Sequence, residues 1–581
     1  MQRASSAWVW IVGALLMLAV AGCGDEPLNG GDADAEAGDD GGGEAGRCGD
    51  GTCGPGENCG LCPADCGACP PGTWLPPLGL PRPEFGIEEE CAAPPDPWSA
   101  PMPGFYYVDA TAAGATDDGN ETGTPALPRA TIPTDLPAGA VVELHGTYDR
   151  GQTSPRGITA AGTAASPVCI RGRSAEERPR ITNGWEMEGT YYILEHLEFA
   201  PQDATQTGSL AILSPTDHGT LRWSELHGNL EGGGLGIASW DGGTLDHVVV
   251  YGCAIHDNGD VLADYDQDVH GIAVGARVSR LWVVDSQLYG NSGDGLQINA
   301  GTEDQATLHH VYVGRNVAHH NKQTGFWTKQ AVDVIFSQNE SYGHRPSNSS
   351  GGAGMGFQYA PERVWFLFNL IHDCEVGIGS GSDSDLGFGT DIYVIGNTIH
   401  DVHSTGEFNP HTGWQNAGIM LPGGASVRIV HNTLADVDSG ISSPNDATYA
   451  IRDNIIAGLA QPEGSHVFLE AGAAAGAATI DHNLFAGDVR IKWGDDTALD
   501  LPGFQAAFPG LCDGCLAADP AFVGPVTGDF HLAAGSPALD AGAEDPAYAT
   551  FLSLYGIDLA RDIDGEPRPA GGGWDIGADE R

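Results

Sequence analysis

Lysine is nearly missing: Lys322, Lys329 and Lys492 are the only three in 581 residues, against 78 acidic side chains and a net charge of −53. A surface that acidic repels phosphate backbones, which excludes nucleic-acid binding. Long apolar runs are scarce too. The one near the N-terminus, Trp8 to Ala21, falls short of the about 20 residues that span a bilayer, and no other stretch is long enough. Helix-friendly composition is also lacking, because 86 Gly and 37 Pro punctuate the chain and both interrupt helices. What remains is 41% hydrophobic, enough for a large core in a turn-rich, all-β protein.

The start reads as an export signal over residues 1–22: Arg3, the short apolar run, then small residues. Its end, Val20-Ala21-Gly22-Cys23, resembles the lipobox of bacterial lipoproteins. That resemblance implies lipidation of Cys23, and Gly24 after it implies sorting to the outer membrane or cell surface. The lipid is then the sole membrane contact. Residues 23–46 are Gly, Asp, Glu and Ala with almost no large apolar side chain, so they are expected to form an acidic, disordered tether.

Six cysteines crowd residues 47–70, at Cys48, Cys53, Cys59, Cys62, Cys66 and Cys69. In an exported chain they predict a small disulfide-rich module whose connectivity stays open. Zinc is the rival, since Cys59-x2-Cys62 and Cys66-x2-Cys69 have ligand-like spacing. Setting Cys23 aside leaves twelve cysteines, an even number. Cys512 and Cys515 can close a tight loop. Residues 71–100 read as a linker.

From about Tyr191 to Trp493 a β-like run repeatedly ends in a small polar residue: Cys253, Ser286, Asn316, Asn339, Asn369, Asn397, Asn432, Asn454 and Asn483. The interval varies between 22 and 35 residues, so the unit is a coil with variable loops. Asn tolerates a left-handed turn, and its amide can bond the next Asn stacked about 4.8 Å above it. The pattern resembles the right-handed parallel β-helix of the pectate-lyase-like superfamily; the strict Leu spacing of leucine-rich repeats is absent. A solenoid over 101–510 is expected, with a C-terminal segment, 511–581, that resembles the closing segment of extracellular β-helix proteins and caps the open end.

A second column follows the first turn of each coil, including His270-Gly271-Ile272, Asp294-Gly295-Leu296, Thr324-Gly325-Phe326 and Met355-Gly356-Phe357. The residue after Gly is apolar and faces inward, so alternation sends Gln297, Asn299, Trp327, Lys329 and Gln358 outward. An exposed Trp beside amides and one cation suits a polysaccharide partner, the ring covering sugar C–H groups and the amides bonding hydroxyls. His270 and Asp294 stand where most coils carry apolar residues.

Polysaccharide lyases on this fold remove the proton beside a uronate carboxylate. The resemblance therefore implies Lys329 as base, with His270 and Arg315 as further catalytic candidates. The loop before His270 offers alternating carboxylates, so Asp266, Asp268 and Asp294 are the candidate Ca2+ ligands. Adjacent Asp pairs, which a hydrolase would favour, are absent from this face. The recurring His256, Tyr289, His319, Tyr342, His372 and His400 occur in too many coils for one metal site and read as a structural stack. The expectation is a monomeric surface lipoprotein whose β-helix binds an acidic polysaccharide and cleaves it by β-elimination. The alternative is a non-catalytic carbohydrate-binding or adhesive protein with the same groove.

Overall fold

The computed structural model describes Cys53, Cys59, residues 63–70 and residues 72–581, the latter without 150–156, 183, 203–207, 240–241, 264, 302, 348–349, 382–386, 407–416, 422–425, 444–447 and 471–477. Cys23, Cys48, Cys62 and the tether lie outside the described residues.

Parallel strands wind into a right-handed β-helix with three sheets. In the central coils the first sheet holds Leu296–Asn299, Phe326–Lys329, Ala353–Gln358 and Val376–Gly381. The second holds Val278–Val284, His309–Gly314, Val332–Ser337 and Glu362–Leu367. The third is built from short strands such as Val317–His319, Glu340–Tyr342 and Leu370–Cys374. Near the N-terminal end two long strands, Trp185–Glu195 and Ala211–Arg222, belong to the first and second sheets at once.

In-register coils place like on like. Leu296, Phe326, Met355, Ile378, Ile419 and Ile441 are register partners and each is at most 1% exposed. Burial of such a file is the main stabilising term.

At the bend between the second and third sheets the asparagines form the expected file. Asn316, Asn339, Asn369, Asn397, Asn432, Asn454 and Asn483 hand one another Nδ2–H···Oδ1 bonds of 2.9–3.0 Å. One detail is corrected. The left-handed residue is not the Asn but its predecessor: Arg315, Gln338, Phe368, His431, Asp453 and His482 all have φ between 50° and 57°. That residue makes the bend and points outward, so the amide turns inward to bond. A second, unforeseen file, Asn229, Asn258, Asn291 and Asn321, lies between the third sheet and the first.

The cysteines pair as Cys53–Cys66, Cys59–Cys69, Cys91–Cys169 and Cys512–Cys515, which answers the zinc alternative for those residues. The even count does not mean full pairing, because Cys253 and Cys374 are free and buried. Cys253 occupies a ladder position and bonds the Leu221 carbonyl.

Two terminal segments depart from expectation. The segment read as a linker is a strap laid along the second sheet: Leu78, Leu80 and Ile87 join a cluster with Trp282, Tyr312, Trp365 and Leu367. Arg222, paired with Glu195, donates to the carbonyls of Gly86, Ile87 and Glu89. Gly86 is required there, since at φ 107° a Cβ would sit 2.0 Å from Thr220 Oγ1. The end of the stack is closed by 498–517 instead of by the whole tail: the helix Leu501–Ala507 lays Phe504 against Trp493. Residues after 518 double back along the flank, where Gly577 N–H bonds the Asp453 carbonyl and Tyr555 Oη bonds Asp333.

Candidate functional site

Register on the first sheet fixes which outward side chains are neighbours. Asn299, Lys329, Gln358 and Gly381 are Cα partners in successive coils, and so are Gln297, Trp327, Gly356 and Gly379. The Gly column is corrected by two residues in one of these coils: Gly354, not Gly356, precedes the inward-facing Met355. Gln358 stays outward, opposite Lys329.

Trp327 is not an exposed platform. It is only 6% exposed and clusters with Ala353, Val376, Ala417 and Met420. Its indole lies over the next coil, where a Cβ on Gly356 would come within 2.2 Å of the ring. The glycines at 356 and 379 leave the space that the ring fills. Those two missing side chains, read in register, were the available signal.

Beside Trp327 is a polar cluster. Asp294, 2% exposed, accepts from Gln297 Nε2 at 2.8 Å and from the Thr324 hydroxyl. His270 Nδ1 accepts the Asp294 backbone N–H at 3.0 Å, so the neutral ring carries its proton on Nε2, which faces Asp268 Oδ1 at 3.6 Å. His270, Asp294, Gln297 and Thr324 are thus brought together.

Other candidates are kept apart. Arg315 lies at the bend beyond the second sheet, where it pairs with Asp285 at 2.7 and 2.9 Å, donates to the Leu75 carbonyl and sits over Trp74. It ties down the strap and does not neighbour Lys329, because the left-handed turn aims it away from the first sheet. The three candidate Ca2+ ligands do not converge. Asp266 takes the Ser347 hydroxyl at 3.2 Å, Asp268 faces His270, and Asp294 is held by Gln297 and Thr324; among the described residues no metal-sized cluster contains them.

The groove has a wall that sequence reading missed. Lys322 Nζ donates to the carbonyls of Ala263 and Tyr265, at 2.6 and 2.8 Å. With the Ser347–Asp266 bond this joins the loop before His270 to the loop after Tyr342. Leu262 and Tyr265 stand exposed on the wall.

Lysine and arginine are used differently. Arg222, Arg280, Arg315 and Arg363 each clamp a carboxylate of a neighbouring coil. Lys329 makes no ion pair among the described residues and rests 5.9 Å from the Tyr359 ring. Tyr359, at φ 66°, turns back toward it just beyond the strand.

The third sheet carries the aromatic stack. His227, His256, Tyr289, His319, Tyr342, His372 and His400 follow at 4.5–5.1 Å, nearly parallel. Burial holds His319 and His400 below the usual imidazole range, which suits neutral stacked rings. Deeper cavities, of about 790 and 420 Å3, lie between this sheet and the returning tail. Asp401, Asp436 and Asp519 line the larger, which repels an anionic chain, whereas the smaller sets Arg315 and His531 beside Glu340, Asp564 and Asp579.

No protein-family model and no curated protein matches this sequence. Solved structures do, at low identity. Pectate lyase Pel9A is 13% identical with a TM-score of 0.35, over 82% of this chain and 96% of that one. The PL6 family alginate lyase AlyGC is 11% identical with a TM-score of 0.42, over 67% and 51%. PfbA, a surface adhesin of Streptococcus pneumoniae, is 10% identical with a TM-score of 0.38, over 58% and 84%. At such identities and TM-scores the likeness assigns no family; the β-helix is read from the register of the chain's own parallel strands.

Proposed function

We propose that the first-sheet face binds an acidic polysaccharide laid along the helix axis. One observation carries this reading: Asn299, Lys329 and Gln358 form a register line whose ammonium has no carboxylate partner among the described residues, in a chain of net charge −53. Coils repeat every ~4.8 Å, close to the length of a pyranose ring, so consecutive sugars meet consecutive coils. The amides address hydroxyls and Lys329 addresses a carboxylate. A charge-assisted hydrogen bond contributes roughly 1.5–3 kcal/mol. Lys329→Ala is therefore expected to weaken binding of uronate polysaccharides about 10-fold or more in calorimetry and to leave any binding of neutral glucans unchanged. Equal affinity of mutant and wild type for uronates would sink the proposal.

A second reading, β-elimination, is favoured by the Asp294–His270 contact, one and two coils from Lys329. Lys329 in its neutral form would take the proton beside the uronate carboxylate, the electron pair would form the C4–C5 double bond, and the glycosidic oxygen would leave with a proton from water, while His270 Nε2–H donates a hydrogen bond to it. The readout is ultraviolet absorbance of the unsaturated product, lost in Lys329→Ala. Binding without any such product leaves the adhesive function standing alone.

The same proposal places the protein outside the cytoplasm, anchored through Cys23. Four described disulfides suit an oxidising compartment. Cys23→Ser should move the protein from the membrane to the soluble fraction; an unlipidated wild-type N-terminus beyond residue 23 in mass spectrometry would refute the anchor.

A further inference from the structure

The strap crosses the second sheet where two histidines stack. His218 and His247 hold equivalent positions in consecutive coils, since Asp217 and Asp246, which precede them, are register partners. Both histidines have left-handed backbone, φ 62° and 51°, which turns the two rings the same way. The rings lie 4.2 Å apart and 10° from parallel. A Glu84 carboxylate oxygen from the strap and one ring nitrogen of each histidine lie within 4.8 Å of one another.

We propose that Glu84, His218 and His247 form a zinc site that staples the strap to the β-helix. Two imidazoles and a carboxylate suit Zn2+ over Ca2+, which prefers all-oxygen shells. His218 Nδ1 hydrogen-bonds Asp217 at 2.7 Å, whereas His247 Nδ1 is buried without a hydrogen bond and has Asp246 at 3.4 Å. The Asp217 carboxylate fixes the His218 ring and makes its far nitrogen a better ligand. Glu84, Asp217 and Asp246 bring three negative charges against one nearby cation, Arg280, which Asp246 already binds.

Glu84 is delivered by a rigid segment although its own side chain is exposed. Phe85, 5% exposed, packs edge-on against both Tyr191 and His218. The next carbonyls are gripped by Arg222, and Cys91 is bonded to Cys169. Zinc bonds of about 2.0–2.2 Å put tetrahedral ligand atoms roughly 3.3 Å apart, a closure that takes rotation of the exposed Glu84 side chain and a tilt of the two stacked rings toward each other. With three protein ligands, water takes the fourth position.

Calorimetric titration of the chelator-treated full chain with ZnCl2 tests this. One Zn2+ per chain is expected, with affinity falling about 100-fold in His218→Ala and His247→Ala and about 10-fold in Glu84→Gln. Asp217→Asn should lose 10-fold or more through the outer carboxylate. Glu84→Gln changes an exposed strap residue, so its melting temperature without metal should equal that of wild type and a folding defect is separable. Co2+ should give tetrahedral d–d absorption that the His247→Ala chain lacks. Absence of stoichiometric zinc, or equal zinc affinity in wild type, His247→Ala and Glu84→Gln, would overturn the site.

Discussion

Replacing Asn397 by Ala is expected to destabilise the folded chain by about 2–4 kcal/mol, more than its small volume suggests. The amide is fully buried and makes five side-chain bonds. Oδ1 accepts the backbone N–H and the Nδ2–H of Asn369, while Nδ2 donates to the carbonyls of Phe366 and Ile395 and to Oδ1 of Asn432. With Ala the Asn369 backbone N–H loses its acceptor, while Asn369 Nδ2 keeps the Phe336 carbonyl, the Ile395 carbonyl keeps the Phe368 N–H and Asn432 Oδ1 keeps the backbone N–H of residue 397. An orphaned buried group costs roughly 1–3 kcal/mol and each weakened bond less, and relaxation or a trapped water recovers part of that. Urea unfolding measures it. Asn483→Ala is the internal comparison, because Asn483 ends the file and has no Asn beyond it; its loss should be smaller. Equal effects at the two positions would mean that the bonds act singly and not as a ladder.

That ladder was legible in the sequence because an in-register solenoid turns spatial stacking into linear recurrence. From Asn316 to Asn483 each coil spends one Asn at that bend, so Asn339, Asn369, Asn397, Asn432 and Asn454 declare the repeat and with it the fold. The candidate site was legible only in part, because outward positions are set by register and by what lies over them. Register survived in Asn299, Lys329 and Gln358. It slipped at Met355, where two glycines two residues apart offered two alignments. Trp327 was misjudged because covering a side chain is a decision of the neighbouring coils: Gly356 and Gly379 make a trough for it. Arg315 was misplaced for another reason. It shares a coil with Lys329 in sequence, yet a coil has three faces, and the left-handed turn at Arg315 assigns it to a different one. The strap at 72–91 carried no periodic signal, since its leucines serve a face built from residues 150 to 300 positions away.

Acidification should unfold the chain through two buried histidines that no ligand needs. His466 is held neutral by geometry: Nδ1 accepts the Arg490 backbone N–H at 3.1 Å and Nε2 donates to the Ala486 carbonyl at 3.0 Å. A second proton has nowhere to go, and burial drops this imidazole to about 4. His344, fully buried against Ser341 and the Asn321 carbonyl, is pushed to about 3, chiefly by burial. An unfolded histidine titrates near 6.5, so below that pH the unfolded chain binds more protons than the folded one and stability falls as pH falls. At pH 4 each group contributes a loss of roughly 3 kcal/mol relative to pH 7. Asp453 acts in the opposite sense: burial raises it to about 7, so its stabilising proton is present at low pH and lost as pH rises through 7. The net expectation is a stability maximum near pH 6 to 7 and a steep acid limb. His344 sits one step beyond Asn321 in the second asparagine file, so His344→Asn extends that file and removes the titrating group together. Its urea midpoint at pH 4 should exceed that of wild type by the equivalent of roughly 3 kcal/mol, with little change at pH 7.5. Parallel acid limbs for the two proteins would show that His344 is already solvated or charged in the folded chain, and would assign the limb to carboxylates such as Asp333 and Asp246, which hydrogen bonds from Arg363 and Arg280 hold low against burial.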